Sequence, residues 1–262
     1  MTAMPGKTGE LRLDDLENGF RIWQDPSMFC FGVDAVLLAH YPALKDGDRI
    51  VDLGTGFAPI PLILLAEARK RKLRVTITGL ELQERAAEIA RRSVRDNGTD
   101  DSISIVNGDI RTAGERLGAG CATLVVSNPP YMAAADGLIG TNPAKALART
   151  ELRCTLHDVV SQAARLLVPG GRFAMIHRPF RLPEIFRELQ AAGLEPKRLR
   201  FVHPRADAEP AMVLLEASRG GRPHLKVGPP LVIYAQDHTY TEELLRIYGR
   251  DTLSGRNADR KP

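Results

Sequence analysis

Apolar and polar residues alternate on both sides of Asn18-Gly19 in ELRLDDLENGFRIWQD (10–25). That pattern predicts an antiparallel hairpin closed by a primed two-residue turn. FCFGVDAVLLAHY (29–41) reads as an aromatic loop entering a short helix at about Gly32–Asp34. From Arg49 the period switches repeatedly between two and 3.6. RIVDL (49–53), RVTITGLEL (74–82), SISIVNGD (102–109) and ATLVVSN (122–128) read as strands. PIPLILLAEARKRK (59–72) reads as a helix with prolines in its first turn, where a missing donor costs little. QERAAEIARRSVRDNG (83–98) is an amphipathic helix ending at Asn-Gly, and TLHDVVSQAARLLVPGG (155–171) a helix stopped by Pro-Gly-Gly. RFAMIHR (172–178) is a strand, RLPEIFRELQAAG (181–193) a helix, and PKRLRFVH (196–203) and PAMVLLEAS (210–218) two closing strands. Strand–helix alternation implies a parallel sheet covered on both faces. With no helix between them, the last two strands should run antiparallel. Residues 250–262 read as a frayed tail.

Composition adds limits. The 262 residues suit one large domain, and 44% hydrophobic with 26% charged residues is ordinary for a globular chain. No apolar run approaches the roughly 20 residues of a membrane span. The opening MTAMPGKTGE has no apolar region of a signal peptide. A cytoplasmic location without membrane contact is therefore expected. Cys30, Cys121 and Cys154 lack paired spacing and are expected to be buried free thiols. His40, His157, His177, His203, His224 and His238 show no metal spacing, so no metal is assigned. The net charge of +4 lies wholly in residues 178–262, where 15 basic residues face 11 acidic ones; residues 1–177 hold 21 of each. A mildly basic C-terminal third is able to meet phosphates.

The chemistry gathers at strand ends. VDLGTGFAP (51–59) joins the first parallel strand to its helix, and Gly54 and Gly56 permit a tight turn with a ligand close to the backbone. A nucleotide-type ligand belongs at this carboxyl edge. The dinucleotide fingerprint would want a glycine where Pro59 stands, so the glycine pair alone is a weak signal. Glu81 ends the second strand, placed to accept from two ribose hydroxyls. Asp109 ends the third, placed to accept from an adenine amino group. After the fourth strand comes Asn128-Pro129-Pro130-Tyr131, 74 residues beyond Gly54. Each proline fixes φ and restricts its predecessor, so this loop is stiffened by design.

This order of motifs resembles the class I S-adenosylmethionine-dependent methyltransferases, in the branch that methylates planar amide or amino nitrogens. The resemblance implies a Rossmann-like, seven-stranded, mostly parallel α/β sheet with helices on both faces, an antiparallel last strand and an N-terminal hairpin. It divides the chain into a hairpin and pocket-closing helix (1–48), a methyltransferase core (49–218) and a C-terminal extension and tail (219–262). It further implies a cofactor site of Gly32, Asp34, Asp52, Gly54, Gly56, Glu81, Leu82, Asp109, Ile110 and Asn128, with Asp34 near the methionine end. The exocyclic amine of adenine is a poor nucleophile because its lone pair is delocalised. Two acceptors on its N–H bonds, the Asn128 side-chain oxygen and the Pro129 carbonyl, would localise that pair. The prolines hold them in place beforehand. Tyr131 would stack on the base, worth about 1–3 kcal/mol.

FGVDAVLLAHY (31–41), ARTELRCTLHD (148–158) and PPLVIYAQDHTYTEELLRIYG (229–249) narrow the resemblance to the bacterial tRNA adenine-N6 methyltransferases that act on the purine 3′ of the anticodon in a valine tRNA. It runs from about residue 10 to 249. A departure is Phe57, where these enzymes commonly place a small residue; it is expected to narrow the room beside the cofactor. Tyr131, Arg149, Arg153, Lys197, Arg198, Arg200 and Arg205 are the expected RNA contacts, with Arg219, Arg222 and Lys226 on the same face. RKRK (69–72) ends a helix and reads as structural. A monomer is expected. Competing readings are a protein glutamine N5-methyltransferase, an rRNA or DNA adenine methyltransferase, and a non-catalytic subunit binding cofactor or RNA. The first of these carries a helical N-terminal domain, whereas this chain opens on a hairpin.

Overall fold

The structure is a computed structural model and describes residues 10–129 and 154–250. Pro130, Tyr131, Arg149, Arg153 and the tail beyond 250 lie outside the described residues, so the expectations for them are not addressed.

Two strands, β1 (Arg12–Asp15) and β2 (Arg21–Gln24), pair antiparallel with Arg12 opposite Gln24 and Asp15 opposite Arg21. The connection differs from the two-residue primed turn that Asn18-Gly19 suggests. Five residues, 16–20, close it, with positive φ at Glu17 and Gly19 but not at Asn18. Leu16 N–H donates to Phe20 O, and the Asn18 side chain accepts from Phe20 N–H at 3.1 Å. Helix α1 (Val33–His40) follows, starting at Gly32 as expected.

Then come β3 (Asp48–Leu53), α2 (Pro59–Lys70), β4 (Val75–Glu81), α3 (Glu84–Asp96), β5 (Ile103–Asn107), a short α4 (Ala113–Arg116) and β6 (Ala122–Ser127). Helix α5 (Leu156–Leu166) opens on a capping box: Thr155 and Asp158 accept each other's backbone N–H. It ends at Leu166, two residues short of the Pro-Gly-Gly stop at 169–171. Leu167 is already extended and opens β7 (Leu167–His177), pairing with Ala122. Pro169 bars Val168 from helical geometry. The run Leu166-Leu167 satisfies a helical and an extended pattern equally, so the sequence could not place this boundary. Helix α6 (Leu182–Ala191), β8 (Leu194–His203) and β9 (Met212–Arg219) complete the core.

The sheet runs β10-β8-β9-β7-β6-β3-β4-β5, and only β9 is antiparallel to its neighbours. It has nine strands rather than seven, because β10 (Lys226–Val227) and β11 (Leu231–Val232) both add to the outer edge of β8. Helix α7 (Glu242–Ile247) follows. Side chains alternate across the sheet. Ile50, Leu124, Val126 and Ile176 join a core with α1, α2 and α3. Val51, Leu53, Val125 and Met175 join one with α5 and α6. Phe20 and Ile22 of the hairpin segment, and Leu231, Ile233 and Leu244 of the C-terminal segment, are buried in the first of these cores. None of the described helices is long and apolar enough to cross a membrane. All three cysteines are free and half-buried, less enclosed than expected.

Candidate active site

All strands of the nine-stranded sheet but β9 end on one edge, which collects Leu53, Glu81, Asn107, Ser127 and His177 from five adjacent strands. The turn after β3 crosses this edge. Gly54 has φ +80° and Gly56 φ +55°, left-handed values that favour glycine. The N–H groups of Gly54 and Thr55 both donate to Leu80 O at the end of β4. The Glu81 carboxylate holds the turn from the side. Its Oε2 accepts Gly56 N–H at 2.8 Å and its Oε1 accepts Gln83 N–H at 2.9 Å. Burial pushes this carboxyl above its ordinary range. Asn107, which sequence reading passed over, donates from its side-chain amide to the carbonyls of Glu81 and Leu82, pinning the same strand end. Gly79 was also missed. A Cβ there would lie 2.8 Å from the Thr55 side chain, so glycine lets the turn seat against β4.

Asp52 is the most unusual group here. It is fully buried, and both its carboxylate oxygens, like the Thr55 hydroxyl, lack a hydrogen-bond partner. Burial pushes its pKa up to about 7. A buried carboxyl without donors has its charged form disfavoured, and it wants a cation or donors from elsewhere. Asp52 pairs in register with Val126. Asn128 stands two residues beyond Val126, so by alternation both point to the face that carries α1.

There Asn128 meets α1. Its side-chain amide donates to Asp34 Oδ2 at 3.0 Å, across 94 residues of sequence. Asn128 is half-buried and Pro129 buried. Ser127 closes the seam, donating to Leu53 O at 2.9 Å.

The structure adds detail to three expectations. Asp109 does stand beyond the end of β5, but its carboxylate accepts Arg111 N–H at 2.9 Å and pairs with the Arg111 guanidinium, which holds it below the usual carboxylate range. Ile110 follows on the same short turn, its side chain 3.7 Å from where a Cβ on Gly54 would lie. Phe57 is buried, its ring 3% exposed within the core on the α1–α2 face. The basic residues are spread along the sheet rather than gathered at one end. Lys197 and Arg198 lie midway along β8, Lys226 pairs with Arg198, and Arg219 ends the antiparallel β9 at the amino edge, opposite Asn128. Arg222 follows β9, its carbonyl accepting from Lys197. Arg198 binds Glu216 and the Tyr41 carbonyl. Arg200 binds Pro229 O and Glu243. These two arginines staple the C-terminal segment and α1 to the sheet. Arg205, following β8, does stand on the carboxyl edge, paired with Asp207.

Sequence reading also missed the segment after β7. His177 is buried, and burial lowers its pKa to about 4, so it is neutral at physiological pH. Its Nδ1 accepts Arg178 N–H. Phe180, in the turn Pro179–Arg181, is 66% exposed, and Phe29, before α1, is 80% exposed. Their two loops border Asn128, one through the β6–β7 pair and the other through Asp34. An isolated exposed phenylalanine carries no signal in a sequence, so periodicity could not find either. A cavity of about 500 Å³ lies between the hairpin turn, α1, α2 and Tyr248, and none of these edge residues lines it.

Comparison with known proteins places the chain among methyltransferases. Residues 19–191 match the methyltransferase small domain family. A tRNA1(Val) (adenine(37)-N6)-methyltransferase of Aeromonas salmonicida is 30% identical over 77% of this chain and 81% of its own. One from Tolumonas auensis is 27% identical over 87% of this chain and 92% of its own. Among solved structures, a protein of Agrobacterium tumefaciens described as a predicted O-methyltransferase superposes with a TM-score of 0.65. It is 26% identical over 83% of this chain and 97% of that one.

Proposed function

The chain belongs to the methyltransferase small domain family, and from that premise we propose that it methylates N6 of an unpaired adenine in tRNA, with S-adenosylmethionine as donor. The tRNA is best read as a valine tRNA, at the purine 3′ of the anticodon, by its similarity to enzymes of that name. The observation that carries the reading is that a buried carboxylate without hydrogen-bond partners, Asp52, and the amide of Asn128, held by Asp34, lie on one face of the same sheet edge.

These residues fit the cofactor. Asp52 suits its α-ammonium group, which would supply the missing donors. Glu81 suits the ribose hydroxyls, and the Gly54–Gly56 turn admits the cofactor against the backbone. When bound, S-adenosylmethionine supplies a methyl group on a positively charged sulfur, open to attack. The work of the chain is on the amine. The Asn128 oxygen and the Pro129 carbonyl accept its two hydrogens and draw its lone pair out of the ring. No general base is required, because the amine attacks neutral and sheds its proton afterwards to water. For RNA, the carboxyl edge favours Arg205 with Phe180 and Phe29, whose faces suit unstacked bases of a loop. Arg149, Arg153 and Tyr131 remain part of the proposal from sequence.

The direct test is transfer of labelled methyl to unmodified total tRNA, followed by nucleoside mass spectrometry. N6-methyladenosine is the expected product. Label in ribosomal RNA or a release-factor protein, with none in tRNA, would overturn the substrate.

Asp52 gives a second test through pH. Its folded pKa of about 7 lies above the roughly 4 of an unfolded carboxyl. Its contribution to stability is complete below pH ~4 and is lost as pH rises through about 7. Asp52→Asn should remove that decline in the cofactor-free protein, seen as a shallower fall of Tm between pH 5 and 8. The same variant should weaken cofactor binding at pH 8 by about ten- to a hundredfold, the loss of a charge-assisted bond. Unchanged affinity by calorimetry would take Asp52 out of the site.

A further inference from the structure

We propose that Asp34 is the positioning residue that sets which end of the Asn128 amide faces the substrate; the inference rests on the methyl-transfer reading above. An asparagine amide has two chemically opposite ends, an acceptor oxygen and a donor NH2. Turned by half a rotation, the same side chain would present donors to the donor hydrogens of an amine and repel it. Nothing in Asn-Pro-Pro itself selects one end.

The selection comes from α1. Asp34 Oδ2 accepts from Asn128 Nδ2 at 3.0 Å. A carboxylate accepts and does not donate, so it meets only the NH2 end, and the oxygen is turned away from it. Asp34 is itself held. Its Oδ1 accepts the N–H of Ala35 at 2.9 Å, in the first turn of α1 where an acidic residue suits the helix dipole. Gly32 leaves the room this requires, since a Cβ there would lie 3.0 Å from Asp34 Oδ1. One carboxylate thus ties the start of α1 to the end of β6. This is a different role from the cofactor contact that resemblance suggests for Asp34.

The test compares Asp34→Ala and Asp34→Asn in methyl transfer, with cofactor affinity measured by calorimetry. Asp34→Ala should lower kcat by about a hundredfold, the cost of a misaligned reacting group, with cofactor Kd and the KM for tRNA little changed. Asp34→Asn keeps an acceptor oxygen and should restore most of the rate. A second readout needs no turnover. In ¹⁵N-labelled cofactor-free protein the Asn128 side-chain NH2 signals, assigned by their loss in Asn128→Ala, should shift in Asp34→Ala and stay near their wild-type positions in Asp34→Asn. Wild-type kcat in Asp34→Ala overturns the proposal. So does loss of cofactor affinity at unchanged kcat, which would make Asp34 a cofactor ligand. If the wild type methylates no tRNA, the substrate reading fails by itself. The NH2 signals then decide the positioning role alone, and signals indifferent to Asp34→Ala refute it.

Discussion

Asn128→Ala is expected to lower kcat by about a hundred- to a thousandfold, the range seen when one preorganised polar group is removed from a reacting centre. The amide oxygen acts on charge that develops as the amine attacks, so its loss should fall on kcat more than on KM. The backbone should survive the change. β6 is held by β3 and β7 on either side and by Ser127 on Leu53 O. Cofactor affinity should stay within a few-fold, because Asp52, Glu81 and the glycine turn are untouched. Single-turnover methylation of tRNA with saturating cofactor reads this directly. A variant that turns over like wild type would remove Asn128 from the chemistry and with it the whole assignment.

Arg172→Ala should cost about 3–5 kcal/mol of stability, the usual penalty for stranding one member of a buried ion pair. Arg172 Nη2 donates to both oxygens of Asp48, at 3.0 and 2.8 Å, and Nη1 donates to Ala43 O. Asp48 also accepts from Lys45 N–H and the Thr123 hydroxyl, each at 2.7 Å. The side chains are only 12% and 4% exposed, so water cannot replace the lost donor. The pair spans β7, β6 and β3 at their amino ends, opposite the active edge. Thermal unfolding should therefore drop by about 10 °C, while kcat at low temperature stays near wild type. An unchanged Tm would show that water reaches Asp48. Sequence reading gave no hint of this pair, since Asp48 and Arg172 look like two surface charges.

The hairpin illustrates a related limit. Asn18-Gly19 suits a two-residue turn, yet the loop takes five residues. The outer edge of β2 is engaged by α3: Asn97 accepts Arg21 N–H at 2.9 Å and donates to Arg21 O at 2.6 Å, and Ser93 accepts Trp23 N–H at 2.9 Å. Those partners lie about 70 residues away and set the register independently of the turn. Charge meets the same limit. Arg219 is basic wherever it stands, but which end of the sheet it occupies depends on strand direction, and β9 runs backwards.

What the sequence alone determined is what short stretches encode. Strand and helix periods, left-handed glycines, prolines that stiffen a loop, and acids at strand ends are local signals. They were enough for the α/β order, the Gly54–Gly56 turn, Glu81 and the Asn128 loop. Only the tertiary structure decided what depends on partners distant in sequence. It left Asp52 buried without donors, gave the Asp109 carboxylate to Arg111, turned Phe57 into the core and brought Asp34 to Asn128. The reason is physical. A side chain's burial, charge state and orientation are set by what packs against it, and packing joins residues that the chain keeps far apart.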